Sequence, residues 1–508
     1  MLVSIAVLLA AVILLLCQLF RDRRRRMGID LPGPRGLPLF GNVFQIDRQR
    51  SYETLTAWSR VYGDAYRISI FGQPVIVLSS VDLIREALVL RGRDFAGRPR
   101  LFFRAGFMAD SYQDIVSASP GPVWNALRKT VQREIKWTAK RDSNGRQHID
   151  SLTADIVDEM IDELMTARGS PTDPRSLVYD AVMNMTCVML IGHRFQSNDE
   201  ELVMYKRLER LVTTSMSVGG AGVELDILPW LRFFGNTTYR RLCEAKRLRD
   251  VLYARIQTRI DHDNGTARRG VAHALLAALH DHDHRKHNSA LTSNNVKLAI
   301  VNLLIGGASS STNYIYLLIN VLAQNPDVQQ TLRSETDDVV GRGRRPCVAD
   351  RPSMPYATAT ILELLRYGSV SPIIIPHQTT RDTRVADVDI PSDVWVFFLL
   401  RRVHHDETFW KDPYRFRPER FLDAESGQLL PPEDPRRRRL LSFSGGPRAC
   451  PGERVVTARL FLAATILVQR CIVLPDDSAP QVSCDPRTFL PGLVLSPQDY
   501  RVRFVPRH

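Results

Sequence analysis

The hydrophobic positions of the chain follow a helical period over most of its length. Apolar residues recur every three to four positions in long segments, which predicts amphipathic helices. These helices span 51–62, 82–91, 121–138, 150–168, 176–192, 199–217, 238–262, 270–280 and 293–324. Shorter stretches rich in β-branched and aromatic residues predict strands at 65–79, 371–380, 386–398 and 487–506. The pattern therefore predicts a mainly α protein with small β-sheets, of the α+β class.

The longest predicted helix, 293–324, is apolar almost all round, so it should cross the core. Thr292 can cap its start, and Asn325-Pro326 ends it. Its middle, 306–312, reads Gly-Gly-Ala-Ser-Ser-Ser-Thr, which is unusual because glycine destabilises a helix by about 1 kcal/mol relative to alanine. Close helix packing explains this segment, and so does a groove where a large group approaches the backbone. The segment taken alone favours packing.

The first twenty residues contain no charged side chain. Twenty helical residues span about 30 Å, the thickness of a bilayer core. Residues 21–26, Arg-Asp-Arg-Arg-Arg-Arg, carry a net charge of +4 and favour the cytoplasmic side. A cleaved signal peptide would place its charge before the apolar run and would end in a small-residue cleavage site. The sequence therefore predicts a single-pass signal anchor at 1–20, a basic and proline-rich hinge at 21–42, and one large cytosolic domain at 43–508.

Composition adds few constraints on function. The 508 residues are 44% hydrophobic and 24% charged, which excludes wholesale disorder and a fibrous repeat. The formal net charge is +13, but the basic residues are dispersed without an interleaved aromatic motif, so nucleic-acid binding is not predicted. The seven cysteines lie far apart, which disfavours a disulfide framework or a structural zinc site. A single cysteine in a special setting then becomes the candidate for chemistry.

Cys450 has such a setting. Residues 443–453 hold three glycines and two prolines around this cysteine, which predicts a tight loop followed by a helix from about Glu453. At a helix start, the dipole and the free N–H groups stabilise a thiolate. The same N–H groups can tune a metal that the sulfur binds.

The loop matches the pattern Phe-x-x-Gly-x-Arg-x-Cys-x-Gly at Phe443, Gly446, Arg448, Cys450 and Gly452. It resembles the haem-ligand loop of the cytochrome P450 family. The resemblance covers about residues 31–508, and it implies the P450 fold and haem b (iron protoporphyrin IX) as the cofactor. It also implies that the Cys450 thiolate is the proximal ligand of the iron.

Further segments are similar to P450 motifs and follow in the family's order. Glu363 and Arg366 form an E-x-x-R pair on one helix face, and Arg420 lies in a segment similar to the family's meander. The resemblance implies a structural triad of these three residues that braces the thiolate loop; a solvated i, i+3 pair is the alternative. Segments 95–99, 121–124 and 375–382 look like the aryl-hydrocarbon and steroid 17-hydroxylase branch of the animal microsomal group.

The resemblance also implies which side chains contact the haem propionates, namely Arg98, Trp124, Arg128, His377 and Arg448. The residue types suit this role because arginine offers a fork of donors to a carboxylate. For His377, a hydrogen-bonded core histidine is the alternative. The family's substrate-recognition segments here hold apolar residues, which indicate a hydrophobic substrate or ordinary core packing: Phe102, Phe103, Phe107, Leu304, Val370, Ile373, Ile374 and Leu493.

One departure from the family concerns catalysis. The acid–alcohol pair that normally relays protons during oxygen activation is replaced by Ser309 and Ser310. A serine is no acid at neutral pH, so protons would have to arrive through water held by these hydroxyls. We expect general acid–base help to fall by roughly 10²-fold if nothing compensates.

The resemblance implies a haem-thiolate monooxygenase that inserts one oxygen atom of O₂ into a lipophilic small molecule. Electrons would come from NADPH through NADPH–cytochrome P450 reductase, with cytochrome b5 as a further candidate donor, at the endoplasmic reticulum membrane. The basic run 436–439 is either a docking face for an acidic reductase or a solvated loop. Because of Ser309, a P450-fold isomerase, dehydratase or peroxide-using enzyme stays open as an alternative, as does a non-enzymatic haem-binding protein.

Overall fold

The computed structural model describes residues 29–100, 103–138, 148–216, 223–262, 270–285, 291–385 and 387–507. Their contacts divide the chain into two compact units. Unit 1 takes Ser371–Val403, Phe443–Ala449 and the described residues up to Pro99. Unit 2 takes Arg100–Val370, His404–Ser442 and Cys450–His508, again as far as they are described.

The described helices are numbered in chain order. They are α1 Ser51–Tyr62, α2 Val81–Arg85, α3 Phe103–Met108, α4 Pro122–Thr138, α5 His148–Met165, α6 Arg175–Ile191, α7 Glu200–Ser215, α8 Val223–Ile227, α9 Thr237–Asp261, α10 Val271–Arg285, α11 Ser293–Gln324, α12 Pro326–Val339, α13 Pro355–Gly368, α14 Leu400–His404, α15 Pro435–Arg438 and α16 Glu453–Arg470. The strands are β1 Ala65–Ile70, β2 Gln73–Leu78, β3 His377–Gln378, β4 Thr383–Val385, β5 Val388–Ile390, β6 Trp395–Phe398, β7 Cys471–Pro475 and β8 Val502–Pro506.

Unit 1 is built on a four-stranded sheet with the order β1-β2-β6-β3. β1 and β2 form an antiparallel hairpin, and β2 runs parallel to β6. β3 pairs antiparallel with β6, so that His377 lies opposite Val396. The sheet therefore carries His377 on its short edge strand. The described part of the hinge lies along β1, where the Arg67 N–H donates to the Pro32 carbonyl at 2.8 Å.

Unit 2 is mainly helical and is organised around α11. Thr292 and Asn295 cap the start of this helix reciprocally, and Asn325 ends it. The helix packs against α4, α6, α7 and α16. Most of its side chains are buried, as the all-round apolar pattern predicts. β7 and β8 form a separate antiparallel pair at the end of the chain.

The predicted α+β class is confirmed, and each predicted helix overlaps an observed one. The strand predictions at 371–380 and 487–506 are largely wrong, because only His377–Gln378 and Val502–Pro506 form strands there. Prolines interrupt both stretches, at Pro372 and Pro376 in the first and at Pro491 in the second. A proline has no N–H to give to a strand ladder, so outside those two strands the segments make only isolated bridges, at Ile373 and Leu490.

Within the described ranges, no helix is both long enough and apolar enough to cross a membrane. The predicted anchor at 1–20 and the basic block at 21–26 lie outside these ranges.

Candidate active site

The segment that leads to Cys450 is fixed by a glycine in unit 1. Gly446 opens the short 3₁₀ turn Gly446–Arg448 with a φ of +65°. A Cβ atom at this position would lie 1.7 Å from the Leu88 carbonyl oxygen. Only glycine allows both the left-handed backbone and this close approach. The turn therefore packs on the segment Glu86–Leu90 within unit 1.

Cys450 lies in unit 2, three residues before α16 begins at Glu453. Its side chain is exposed on one side, although protein atoms surround it elsewhere. Burial raises the pKa of the thiol, while the N–H groups of Gly452 and Glu453 and the charge of Arg128 oppose that shift. The sulfur is thus a neutral thiol at neutral pH that faces N–H donors. A metal ion would displace its proton and make it a ligand.

Unit 1 gathers three predicted haem contacts around one stretch of backbone. The Arg448 Nε–H donates to the Ala96 carbonyl at 2.8 Å, and His377 Nδ1 lies 2.6 Å from the Phe95 carbonyl. Arg98 Nη1 donates at 2.9 Å to the carbonyls of residues 375 and 376. All three side chains are oriented by main-chain oxygens, so their positions depend on the backbone path.

His377 is almost completely buried. Burial lowers the pKa of its imidazole well below the usual value, and the charges of Arg98 and Arg448 lower it further. With Nδ1 directed at a carbonyl, Nε2 has no hydrogen-bond partner among the residues that the structure describes. A buried polar atom without a partner is rare, and it is the kind of atom that an absent group would satisfy.

Helix α4 of unit 2 carries the two remaining predicted haem contacts. Trp124 and Arg128 are both buried. The indole N–H of Trp124 donates to the Ile115 carbonyl at 3.0 Å, so a carboxylate would have to compete with that oxygen. Burial lowers the pKa of Arg128, and the thiolate form of Cys450 opposes that shift. Arg128 is therefore the α4 side chain with an electrostatic link to the cysteine.

The three residues of the predicted triad meet in unit 2. Glu363 and Arg366 are fully buried and form a bidentate pair at 2.7 and 2.8 Å. Arg420 Nε lies 3.4 Å from Glu363 Oε1. Arg366 also donates to the carbonyls of His404 and Pro413, each at 2.8 Å. The solvated alternative is wrong for this pair, and the cluster ties α13 to the segment that follows His404.

The centre of α11 contacts a carboxylate on another helix, and this carboxylate lies where the sequence motif lacks its own acid. Ser309 Oγ donates to Glu209 Oε1 on α7 at 2.5 Å. Tyr179 on α6 donates to the other carboxylate oxygen of Glu209 at 2.8 Å. Ser310 makes only a 3.3 Å contact to the Gly306 carbonyl within its own helix. The acid position of the motif is thus a hydroxyl bonded to an acid from another helix.

Glu209 was not predicted, although the sequence carried a signal for it. Leu202, Tyr205, Glu209 and Val212 are spaced at i, i+3, i+7 and i+10, and all four are buried. A carboxyl group buried in an apolar helical stripe needs a hydrogen-bonding or charged partner, because burial without one costs free energy. The partner, Ser309, is 100 positions away, which a sequence pattern does not indicate.

The predicted substrate contacts have varied surroundings. Phe103 and Phe107 lie 5.8 Å apart on α3, and Phe107 lies 5.4 Å from the ring of Tyr239. Leu304 belongs to the buried core, whereas Leu493 is exposed. Phe102 lies outside the described residues. An open cavity in unit 2, beside Asp173, Gln324, Pro480 and Tyr500, contains none of the predicted site residues.

The basic run 436–439 makes contacts with its own chain. Arg438 is exposed, whereas the other three guanidinium groups are engaged. The partners are Asp434 for Arg436, the Leu430 carbonyl for Arg437 and the Phe409 ring for Arg439. The run is therefore partly neutralised, which weakens its interpretation as a docking face.

The chain is similar to a known protein family over most of its length. A family model described as Cytochrome P450 matches residues 31–504. The chain belongs to the cytochrome P450 family.

Among curated proteins, a "Cytochrome P450 1A1" from Homo sapiens is 33% identical over 455 residues, which cover 86% of this chain and 85% of that protein. A "Cytochrome P450 1A1" from Opsanus tau is 33% identical over 451 residues, covering 87% of this chain and 84% of the relative. A "Cytochrome P450 1A2" from Oryctolagus cuniculus is 32% identical over 449 residues, or 87% and 85% of the two chains. The predicted family and P450 fold are thereby confirmed.

Proteins of this P450 family are monooxygenase oxidoreductases that bind haem b through a cysteine thiolate. The described residues fit such a group. Unit 1 offers the partnerless Nε2 of His377 beside two arginines, which suits carboxylates. In unit 2, a Cβ atom added to Gly306 would meet no other atom within 4 Å, so α11 leaves room for a large ligand at that point.

Proposed function

We propose that this P450 is a membrane-anchored haem-thiolate monooxygenase that hydroxylates lipophilic small molecules, with electrons supplied by NADPH through NADPH–cytochrome P450 reductase. Cytochrome b5 is a second candidate donor, and the endoplasmic reticulum membrane is the proposed location. The single observation that carries the proposal is Cys450, which follows the Gly446 turn and precedes α16 with N–H groups directed at its sulfur. The apolar predicted substrate contacts support a lipophilic substrate.

In this proposal, the Cys450 sulfur would hold the haem iron as a thiolate, and the haem would supply the activation of O₂ when bound. The N–H groups of Gly452 and Glu453 reduce the electron density on the sulfur and so tune its donation to the metal. The residues that would bind the propionates are Arg98, Trp124, Arg128, His377 and Arg448. The role of Glu363, Arg366 and Arg420 is to hold the chain that leads into the Cys450 loop.

Ser309 and Ser310 are the proposed catalytic hydroxyls of α11. Each can hold a proton at Oγ and pass one on, and neither is itself an acid. The overall reaction consumes O₂, two electrons and two protons for each hydroxylated product and releases one water. The chain must therefore deliver protons to the buried site while it excludes bulk water from it.

The deciding experiment measures haem ligation and turnover in parallel. Purified full-length protein should give the ferrous–CO band of a thiolate-ligated haem, and Cys450→Ser should lose it because an alcohol does not replace the thiolate. Cys347→Ser removes an exposed cysteine at a distant point of the chain and should keep the band. A retained band in Cys450→Ser would contradict the ligand assignment.

Turnover distinguishes the enzyme classes. A panel of lipophilic compounds should be hydroxylated with reductase and NADPH. Turnover of hydroperoxides without reductase would instead favour an isomerase or a peroxide-using enzyme. A normal ferrous–CO band without turnover by either route would favour a non-enzymatic haem protein.

A further inference from the structure

Three side chains from three helices form a hydrogen-bonded chain in the core of unit 2. Tyr179 on α6 donates to Glu209 on α7 at 2.8 Å, and Ser309 on α11 donates to the same carboxylate at 2.5 Å. We propose that Glu209 supplies to Ser309 the protons that the missing acid of α11 would have supplied. The inference rests on the proposed monooxygenase function, because it concerns the same reaction.

The surroundings of Glu209 suit a proton carrier. Glu209 is only 6% exposed, yet within the described part of the chain it forms no ion pair with lysine or arginine. A carboxyl group held by two hydroxyls can be charged or neutral without breaking a salt bridge. Glu201, two turns earlier on the same helix, differs because Arg259 holds it at 2.6 Å. Glu209 is thus a buried carboxyl group of α7 whose side-chain partners, among the described residues, are two hydroxyls.

Tyr179 closes one end of the hydrogen-bonded chain. Burial raises the pKa of its phenol, and the charges of Glu209 and Asp180 raise it further against the opposing charge of Arg210. The phenol therefore stays protonated and acts as a fixed donor to Glu209. Protons that Glu209 accepts then leave through Ser309.

Beyond Ser309, the next turn of α11 opens toward Gly306. Gly306 is exposed, and a Cβ atom there would have no neighbour within 4 Å. It lies three residues before Ser309 and therefore on the same side of the helix. Ser310, which bonds the Gly306 carbonyl, is the next hydroxyl on that surface.

Each transferred proton passes through Glu209 and then Ser309. Glu209 takes a proton from solvent at Oε1, and the Ser309 hydroxyl turns so that its oxygen accepts the bond. The Glu209 proton moves to Ser309 Oγ while Ser309 releases its own proton toward the space beside Gly306. Two passages supply the two protons consumed per O₂, and NADPH supplies the two electrons. Glu209 and Ser309 end each passage unchanged.

The test uses the full-length holoenzyme with reductase and NADPH. Glu209→Gln keeps an amide that can bond both hydroxyls but has no acidic proton. The rate of product formation should fall on the order of 10²-fold. Hydrogen peroxide released per NADPH should rise, while the ferrous–CO band stays. Glu201→Gln is the matched control, since it also removes a buried carboxylate that accepts a tyrosine hydroxyl on α7, and it should leave peroxide yield at the wild-type level.

Relocating the acid gives the sharper comparison. The double variant Glu209→Gln with Ser309→Asp moves the carboxylate to α11 and leaves an amide on α7 that can donate a hydrogen bond to it. Product formation should recover at least 10-fold over Glu209→Gln alone. Ser309→Asp alone sets two carboxylates side by side and should bring no gain. A wild-type peroxide yield in Glu209→Gln, or no recovery in the double variant, would overturn the proposal.

A readout independent of turnover checks the contact itself. The changes in melting temperature caused by Glu209→Leu and Ser309→Ala should be non-additive when combined, because each removes the same bond. Additive shifts would show that the two residues do not interact and would also overturn the inference. The proposed function is judged separately, by whether the wild type hydroxylates any member of the substrate panel.

Discussion

Arg459 places a charge inside unit 2 without an acidic partner among the described residues. It is 2% exposed, and Nη1 reaches only Thr186 Oγ1 at 3.2 Å and the Gly307 carbonyl at 3.5 Å. Its Nε and Nη2 atoms have no hydrogen-bond partner in the same ranges. Burial lowers the pKa of Arg459 to about 10, so the group is still charged at neutral pH. A buried, unpaired cation of this kind reduces stability.

We therefore expect Arg459→Met to raise the free energy of unfolding by about 1–3 kcal/mol, measured by thermal or denaturant unfolding. Arg249→Met is the matched comparison. Arg249 is equally buried but pairs with Asp110 and Asp250, so Arg249→Met should lower the free energy of unfolding instead. A destabilised Arg459→Met variant would mean that the guanidinium has an anionic partner elsewhere.

The lowered pKa of His377 predicts how the free energy of unfolding of the haem-free protein varies with pH. Its pKa is depressed in the fold, whereas the unfolded chain binds a proton at about pH 6.5. Below that pH the unfolded state holds more protons, so the free energy of unfolding should fall as the pH drops, by up to about 1.4 kcal/mol per pH unit.

The melting temperature measured between about pH 5 and pH 8 checks this expectation. His377→Phe should flatten the acid limb, whereas His262→Phe, at the exposed end of α9, should not. Haem should also flatten it, because a nearby carboxylate favours the charged imidazole. An acid limb that His377→Phe leaves unchanged would contradict the assignment.

At the scale of elements, Glu363 joins α13 to the segment around Arg417 and Arg420. Its carboxylate binds the Arg366 guanidinium and accepts the Arg417 N–H at 2.9 Å. Glu363→Ala leaves two buried arginines without their anion and should cost about 3–5 kcal/mol of unfolding free energy. The same substitution at Glu53, which forms an exposed i, i+3 pair with Arg50, should cost under about 1 kcal/mol. Equal costs in the two variants would show that the buried pair adds nothing to stability.

The helices could be predicted from the sequence because their signals are local. Thr292 and Asn325 mark the ends of α11 as capping chemistry requires, and the predicted span 293–324 is the observed one. Strands were less predictable, because pairing depends on partners far along the chain. The apolar run 371–376 looks like a strand, but it has a proline at each end of its isoleucines and only Ile373 makes an isolated bridge.

The candidate site likewise has one part that local sequence signals predict and one part that depends on packing between distant segments. The Cys450 loop is contiguous and was found by its motif. Glu209 was missed because its meaning comes from the packing of α7 on α11. A charged residue in an amphipathic helix normally faces water, and only burial distinguishes Glu209 from the neighbouring charged positions.

For the whole molecule, the uncharged segment 1–20 predicts attachment to a membrane. The anchor proposal predicts that the full chain stays in the membrane pellet after carbonate washing. Deleting residues 2–20 should release it from a carbonate-washed pellet, because the apolar span is lost. The truncated chain should still adsorb to anionic vesicles at low salt, since the net charge of +13 is unaffected by an uncharged segment.

Neutralising the arginines of 21–26 is the complementary change. It should keep carbonate resistance and weaken only the orientation preference of the anchor. If the 2–20 deletion stayed in the carbonate-washed pellet, another part of the protein would have to insert into the bilayer.

The unit 1 donors at Arg98, His377 and Arg448 are held by carbonyl oxygens of the main chain. Every amino acid has that oxygen, so a substitution at Phe95 or Ala96 that fits the buried space keeps the acceptor at that position. A one-residue insertion or deletion between 95 and 98 would instead move Arg98 out of register with the carbonyls of Phe95 and Ala96. The length of this stretch is therefore as constrained as Gly97, where a Cβ atom would lie 2.6 Å from the Gln378 carbonyl oxygen.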